Sequence, residues 1–385
     1  MLLIMKEIME TGKKSVPFLR PQVKIGRAVA ALAALSFLPL PSDGHTGEEK
    51  PPASPVFTVA WSTGAGNTPY PYLERSGTLK KWADRYHVEI KLERRDYGLA
   101  IDAFAAKKLD ACVMSNMEAL GVAAASGTET TAVYVNDSSK GNDVILARNG
   151  VELKDLSSKR ILLTQKSVSL YLLERAMAME GMESEIPRLK LIDAAADGIA
   201  PKFLKDPAID VVVSWKPMAG RMMAEAKAKD LFNSSRIPGE IVHFMAARTE
   251  VIKRPDGSGE RFAKALTGAW YEVMEQMGWT VTEREVLGGI ASASENTLES
   301  LTEQLNTTRF FRSPTSALNF ENGSGTKENM RAMRLFCFNH KLLGDTKSPE
   351  DVAIEYPDKS IQGEAGHVRL HLVSTYMALA VARML

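Results

Sequence analysis

The chain has 385 residues, 45% of them hydrophobic and 25% charged, enough for about two domains of roughly 150 residues each; this composition excludes a disordered, collagenous or coiled-coil chain. Its 48 basic and 47 acidic residues nearly cancel, so no large single-sign field is available to hold a nucleic-acid backbone or an anionic membrane surface. Cys112 and Cys337 stand far apart in apolar stretches, outside any C-x-x-C pair, which disfavours a zinc module, a redox motif and a disulfide scaffold.

Lys6, Lys13, Lys14, Arg20, Lys24 and Arg27 precede an uncharged apolar run of 11 residues, Ala28 to Leu38. A spanning helix needs about 20 apolar residues, and Pro39, Pro41, Ser42 and Gly44 break the run as a cleavage region does. Residues 1–44 are therefore expected to be a signal peptide for soluble export to the periplasm; no cysteine follows the run to carry a lipid. Residues 45–55 (HTGEEKPPASP) lack periodicity and read as an extended linker.

From Val56 short β-branched runs alternate with amphipathic stretches, the pattern of an α/β sheet with crossover helices. Strands are predicted at Val56 to Trp61, Val88 to Arg94, Asp110 to Asn116 and Thr131 to Asn136, with helices at Gly77 to Tyr86, Tyr97 to Lys108 and Met117 to Ala125 between them. A second unit repeats the rhythm: a strand at Arg160 to Gln165, a helix at Ser167 to Met182, strands at Arg188 to Asp193 and Ile209 to Trp215, and a helix between those two. Asp143 to Arg148 and Glu240 to Arg248 are apolar strands placed where the chain would cross between two lobes. After Asp256 the pattern becomes mostly helical. The expected division is 56–145 with 243–385 as one lobe, carrying the helical part, and 146–242 as the other.

Open α/β sheets bind ligands at the carboxyl ends of their strands. Chemistry is therefore expected in five windows: Ser62 to Tyr72, Ser115 to Glu118, Asn136 to Asp143, Gln165 to Ser169 and Ser214 to Pro217. No phosphate-binding G-x-x-x-x-G-K-[ST] loop, H-E-x-x-H pair or G-x-S-x-G elbow occurs. Gly64 to Pro69 begins like a dinucleotide fingerprint, but Pro69 replaces its third glycine and is expected to interrupt a helix start. His367 and His371 lack a third ligand and read as a solvated sheet face. Ser167 and Ser169 open a strong helix, where hydroxyls and free N–H groups favour an anionic or hydrogen-bond-accepting ligand. Trp61, Tyr70 and Tyr72 could line a pocket or pack beneath it.

At these residues the sequence resembles the substrate-binding proteins of bacterial ABC importers of the nitrate/sulfonate/taurine type, and more closely the branch found beside urea carboxylase genes. The resemblance rests on PYPYLERSGTLKKWADRY, MSNMEAL, NDSSKGND, SVSLYLL, VVVSWKP, SSRIPGEIV, LTGAWYEVM, HKLLG, YPDKS and the closing STYM. It implies the type II periplasmic binding protein fold, hinged lobes with a ligand cleft between them. It further implies a monomer without catalytic groups, cofactor or metal, which delivers a small solute to a permease in the inner membrane. Carried onto this chain, the ligand-binding residues are Trp61, Tyr70, Asn116, Asp137, Gln165, Ser167, Ser169, Trp215 and Lys216. In the branch's pattern a glutamate stands at Gln165, a histidine at Leu170, an asparagine at Lys216 and aspartates at His243 and Val373. Because an unpaired buried ion costs several kcal/mol and micromolar binding totals only about 8 kcal/mol, these departures imply a shift from urea-like or guanidine-like compounds toward a neutral or anionic solute held by Lys216. The alternatives on the same fold are a thiamine-pyrimidine-precursor synthase-like enzyme, which needs reactive groups in the cleft, and a ligand-sensing protein.

Overall fold

The computed structural model describes residues 54–278 and 283–385; the expected signal, 1–44, and most of the linker lie outside them. No described helix is long and apolar enough to cross a membrane. The chain opens with β1 (Val56–Trp61), α1 (Pro69–Arg75), α2 (Thr78–Arg85), β2 (Glu89–Arg94), α3 (Tyr97–Ala105), β3 (Ala111–Ser115), α4 (Asn116–Ser126) and β4 (Thr130–Ser139). Next come β5 (Asp143–Ala147), β6 (Arg160–Leu163), α5 (Val168–Met179), β7 (Lys190–Asp193), α6 (Ile199–Lys205), β8 (Val211–Trp215), α7 (Met218–Ala226) and β9 (Lys229–Asn233). The return is β10 (Val242–Arg248), α8 (Thr249–Ile252), α9 (Ser258–Gln276), α10 (Glu283–Ala293), α11 (Leu298–Asn306), β11 (Thr308–Phe310), α12 (Pro314–Glu321), α13 (Ser324–Asn339), β12 (Ala353–Glu355), β13 (Ile361–Gln362), β14 (Val368–Leu372) and α14 (Thr375–Val381).

The described strands form two sheets. The first runs β13-β12-β14-β4-β10-β3-β1-β2 with β11 also on β4, and the second runs β7-β6-β8-β5-β9. β1 pairs in parallel with β2 and β3, whereas β10 lies antiparallel between β3 and β4. Every residue of β3 and β4 is buried, as befits strands covered on both faces, which therefore read as continuous apolar runs. β5 belongs wholly to the second sheet and β10 wholly to the first, so the chain passes between them at 140–142 and 234–241. Those passages are tied together. Ser139 Oγ lies 2.6 Å from Ser234 Oγ and donates to Asp143 Oδ2 at 2.5 Å, and the Gly141 N–H donates to Ser234 Oγ at 2.8 Å.

Pro69 does not interrupt a helix; it is the first residue of α1, where its missing N–H needs no partner and its fixed φ suits the helix. The region after Asp256 is not only helical, because β12, β13 and β14 extend the first sheet beyond β4. α9 crosses that sheet and buries Trp270 completely, with Tyr70 and Tyr134 stacked on it at 5.1 and 5.5 Å. Burial of so large a ring contributes on the order of 5 kcal/mol. Gly268 permits the approach of α9 to α2: a Cβ there would fall 2.4 Å from the Trp82 ring.

Candidate ligand-binding site

The strand ends of the two sheets enclose a cavity of about 350 Å³. All five sequence windows contribute to its wall: Thr63 to Asn67, Glu118, Asp137 with Asn142 and Asp143, Gln165 to Val168, and Trp215. A sixth segment after β2, Asp96 to Gly98 with Ile101 and Asp102, completes it together with Ala195, Ala196 and His243.

The deepest charges come from the central strands. His243 and Asp137 are register partners on β10 and β4, and the imidazole Nδ1–H donates to Asp137 Oδ1 at 3.0 Å. Burial alone would lower the His243 pKa, but Asp137, joined by Asp143 and Glu118, outweighs it and raises the value to about 9. His243 is therefore an imidazolium at neutral pH. Asp137 Oδ2 has no partner and lies against Gly66, where a Cβ would stand only 1.8 Å away. Burial pushes the Asp143 carboxyl up, partly offset by Ser139 and His243. Glu118, in the first turn of α4, accepts from the Tyr97 hydroxyl at 2.8 Å and from Ser115 Oγ, while Tyr97 Oη accepts from the Ser115 N–H at 3.0 Å. Burial first, and Glu118 second, hold the Tyr97 hydroxyl protonated.

The second sheet contributes a helix start, after β6. Ser167 caps α5, its Oγ accepting from the Ser169 N–H at 3.2 Å and donating to the Thr164 carbonyl at 2.7 Å. The Gln165 N–H donates to Asp193 Oδ1 at 2.8 Å, leaving its side chain at the lip. The buried oxygens Asn67 Oδ1 and Asn142 Oδ1 are without partners. Together with Glu118, Asp137 and Asp143 they make a wall rich in acceptors, suited to a ligand that brings N–H donors or positive charge.

Of the residues expected to bind ligand, Asp137, Gln165, Ser167 and Trp215 meet at this cavity. Trp61, Tyr70, Asn116, Ser169 and Lys216 are not part of its lining. Tyr70 is fully buried; its hydroxyl accepts from Asn136 Nδ2 at 2.7 Å and lies 3.1 Å from Tyr134 Oη. Asn116 ties α4 to the chain entering β10, donating to the Glu240 carbonyl and accepting from the Val242 N–H. Trp61 lies beneath the Arg94 guanidinium, 5.8 Å from it, and Ser169 is buried in the first turn of α5. Lys216 meets Glu303 of α11 at 2.8 Å and takes no part in the cavity wall. Asn142 and Asp143 fall in the expected window Asn136 to Asp143 without having been singled out, whereas Tyr97 lies outside all five windows. The signal for Tyr97 was Asp96, a helix N-cap directly after a predicted strand.

A second cavity, also about 350 Å³, adjoins the first through Thr63, Asp96, Tyr97, Ala196 and Trp215 and is lined further by Ser62, Arg94, Arg95, Asp197 and Met218. Outside both cavities, His371 Nδ1 lies 2.7 Å from Glu355, and Cys112 and Cys337 are buried free thiols.

Solved structures share this architecture. The alkanesulfonate-binding protein SsuA from Xanthomonas axonopodis pv. citri, bound to MOPS, superposes with a TM-score of 0.60 at 13% identity, over 76% of this chain and 95% of its own. A putative periplasmic sulfonate-binding SsuA from Methylobacillus flagellatus KT gives 0.61 at 12% identity, over 86% and 96%. The periplasmic nitrate-binding protein NrtA from Synechocystis PCC 6803 gives 0.51 at 10% identity, over 84% and 98%. No protein-family model matches the chain, and no curated protein does. The fold is the α/β periplasmic binding protein fold expected from the sequence.

Proposed function

We propose that the chain is the solute-binding component of an ABC importer, which captures a small nitrogen-bearing solute in the periplasm and delivers it to a membrane permease. The observation that carries this reading is the cavity between the two sheets, with buried Glu118, Asp137 and Asp143 on its wall and acceptor oxygens of Asn67 and Asn142 left without partners. The fold shared with sulfonate-binding and nitrate-binding periplasmic proteins supports the role. A solute touching both walls would shift an open-to-closed equilibrium by the contacts it gains on closure, with 140–142 and 234–241 as the hinge between 56–145 with 243–385 and 146–242. The anionic solute implied by Lys216 has less support, since Lys216 is not part of the cavity lining. The enzyme alternative has less support too, because the one histidine on the cavity wall is held protonated at neutral pH by Asp137, Asp143 and Glu118 and is not available as a base.

The test is a thermal-shift screen of the full chain against guanidine, urea, short amides, nitrate, sulfonates, carboxylates and thiamine precursors, since specific binding raises the melting temperature by mass action. Stabilisation by nitrogen donors is expected. Stabilisation by nitrate or sulfonates alone would refute the ligand class.

A further inference from the structure

The two adjoining cavities differ in their charged groups. The wall of the first is dominated by carboxylates, with Glu118, Asp137 and Asp143 buried, and His243 and Lys166 as its cations. The second holds two guanidinium groups, Arg94 and Arg95, at the end of β2. Both arginines have protein partners: Arg94 meets Glu295 at 2.8 Å and Thr63 Oγ1 at 3.3 Å, and Arg95 meets Glu93 at 2.5 Å. Those partners are open to solvent, Glu295 by 74% of its side chain and Glu93 by 38%. Exposed pairs of this kind are weak and exchange readily for another anion, and a guanidinium fork matches a carboxylate with two parallel hydrogen bonds. Two acidic groups also border this cavity. Asp96 is occupied in capping α3, accepting from the Gly98 N–H at 3.0 Å, and Asp197 belongs to the facing lobe. Beside the arginines Ser62 is 2% exposed, and its hydroxyl has no partner, which leaves it free to donate to an anion.

We infer that the solute is dipolar: a short acid whose nitrogen-rich head sits among Glu118, Asp137 and Asp143 and whose carboxylate lies at Arg94, Arg95 and Ser62. The two cavities share Thr63, Asp96, Tyr97, Ala196 and Trp215, so a few methylene groups lying beside Tyr97 and Trp215 would join the head to the carboxylate. This inference rests on the nitrogen-donor reading of the first cavity and adds the second cavity to it.

The experiment is calorimetric titration of the full chain, at low salt, with guanidine, guanidinoacetate, 3-guanidinopropionate, 4-guanidinobutyrate and the amide of each acid. The ureido counterparts, starting from urea, form a parallel series. At least one acid is expected to bind tenfold or more tightly than both its amide and the parent head group. That advantage should vanish in Arg94→Gln and Arg95→Gln, whose melting temperatures and affinity for the parent head group should be unchanged. If the parent head group binds as well as every acid, or if both variants keep the advantage, the dipolar inference is overturned while the nitrogen-donor reading stands. If no compound of either series binds, both are overturned.

Discussion

Replacing His243 with asparagine retains a donor near the Nδ1 position but removes the charge. In the folded chain His243 titrates at about 9, against about 6.5 in an unfolded chain. A histidine raised in this way contributes stability that is fully present below about pH 6.5 and is lost as pH rises through about 9. At ~1.4 kcal/mol per pK unit the contribution is about 3 kcal/mol. The two buried thiols act in the same direction: burial raises both pKa values, so they too lose stability once unfolded cysteine ionises above about pH 8.5. The difference between the chain and the variant, not the raw slope, therefore reports His243. Urea unfolding at about pH 6.5 and about pH 9.5 should find His243→Asn less stable by about 3 kcal/mol at the lower pH, the gap closing to under about 1 kcal/mol at the higher. A gap that is constant with pH would refute the assignment of His243 as a cation bound to Asp137.

Gly66→Ala places a methyl 1.8 Å from Asp137 Oδ2; displacing that carboxylate from His243 should cost about 3 kcal/mol or more in chemical unfolding and abolish ligand-induced stabilisation. Tyr70→Phe strands the buried Asn136 amide and should cost about 1–3 kcal/mol, yet leave ligand affinity unchanged in calorimetry because Tyr70 is a core residue. Lys216→Met removes an ion pair whose partner Glu303 is 51% exposed; stability should change by no more than about 1 kcal/mol, and a large loss of affinity would return Lys216 to the ligand. Glu321 is fully buried with both carboxyl oxygens unpartnered, and burial raises its pKa well above the usual range. Such a raised carboxyl loses stability as pH rises above its unfolded value, so Glu321→Gln should stabilise the chain at neutral pH by about 1–3 kcal/mol, read from melting temperatures.

The central strands were legible in the sequence because burial on both faces leaves continuous apolar runs such as Ile161 to Leu163 and Val211 to Val213. α1 was not, since Pro69 and Pro71 look like breakers unless the helix start is already known; at the first turn neither N–H is needed. β9 (KDLFN) and β12 (AIE) are short and half-polar or isolated, and only their neighbours in the sheet make them strands. The site was visible as windows rather than as partners. Strand-end logic reached Asp137, Gln165, Ser167 and Trp215, but the same logic applied to the end of β2 would have added Asp96 and Tyr97. The pairing of His243 with Asp137, 106 residues apart, depends on β10 running antiparallel between β3 and β4, a long-range register that no local pattern encodes. The contact of Lys216 with Glu303 was out of reach for the same reason: Glu303 lies on a helix distant in the sequence.

The crossover between the sheets has a consequence for how such a molecule can change. Asp137 near the end of β4, Asn142 in the passage and Asp143 at the start of β5 flank one crossing and His243 in β10 follows the other, the two crossings bound together through Ser139 and Ser234. Any rotation of one sheet against the other pivots on the backbone that carries these charges. On the proposed reading, recognition of the nitrogen-bearing head and ease of bending draw on the same residues, whereas recognition of an acid end does not. On that reading a substitution at Asp137, Asn142 or Asp143 touches head-group recognition and the passage together, whereas Arg94 and Arg95, at and just after the end of β2, lie apart from it. Relatives adapting to new solutes should therefore vary first at the second cavity and last at the first.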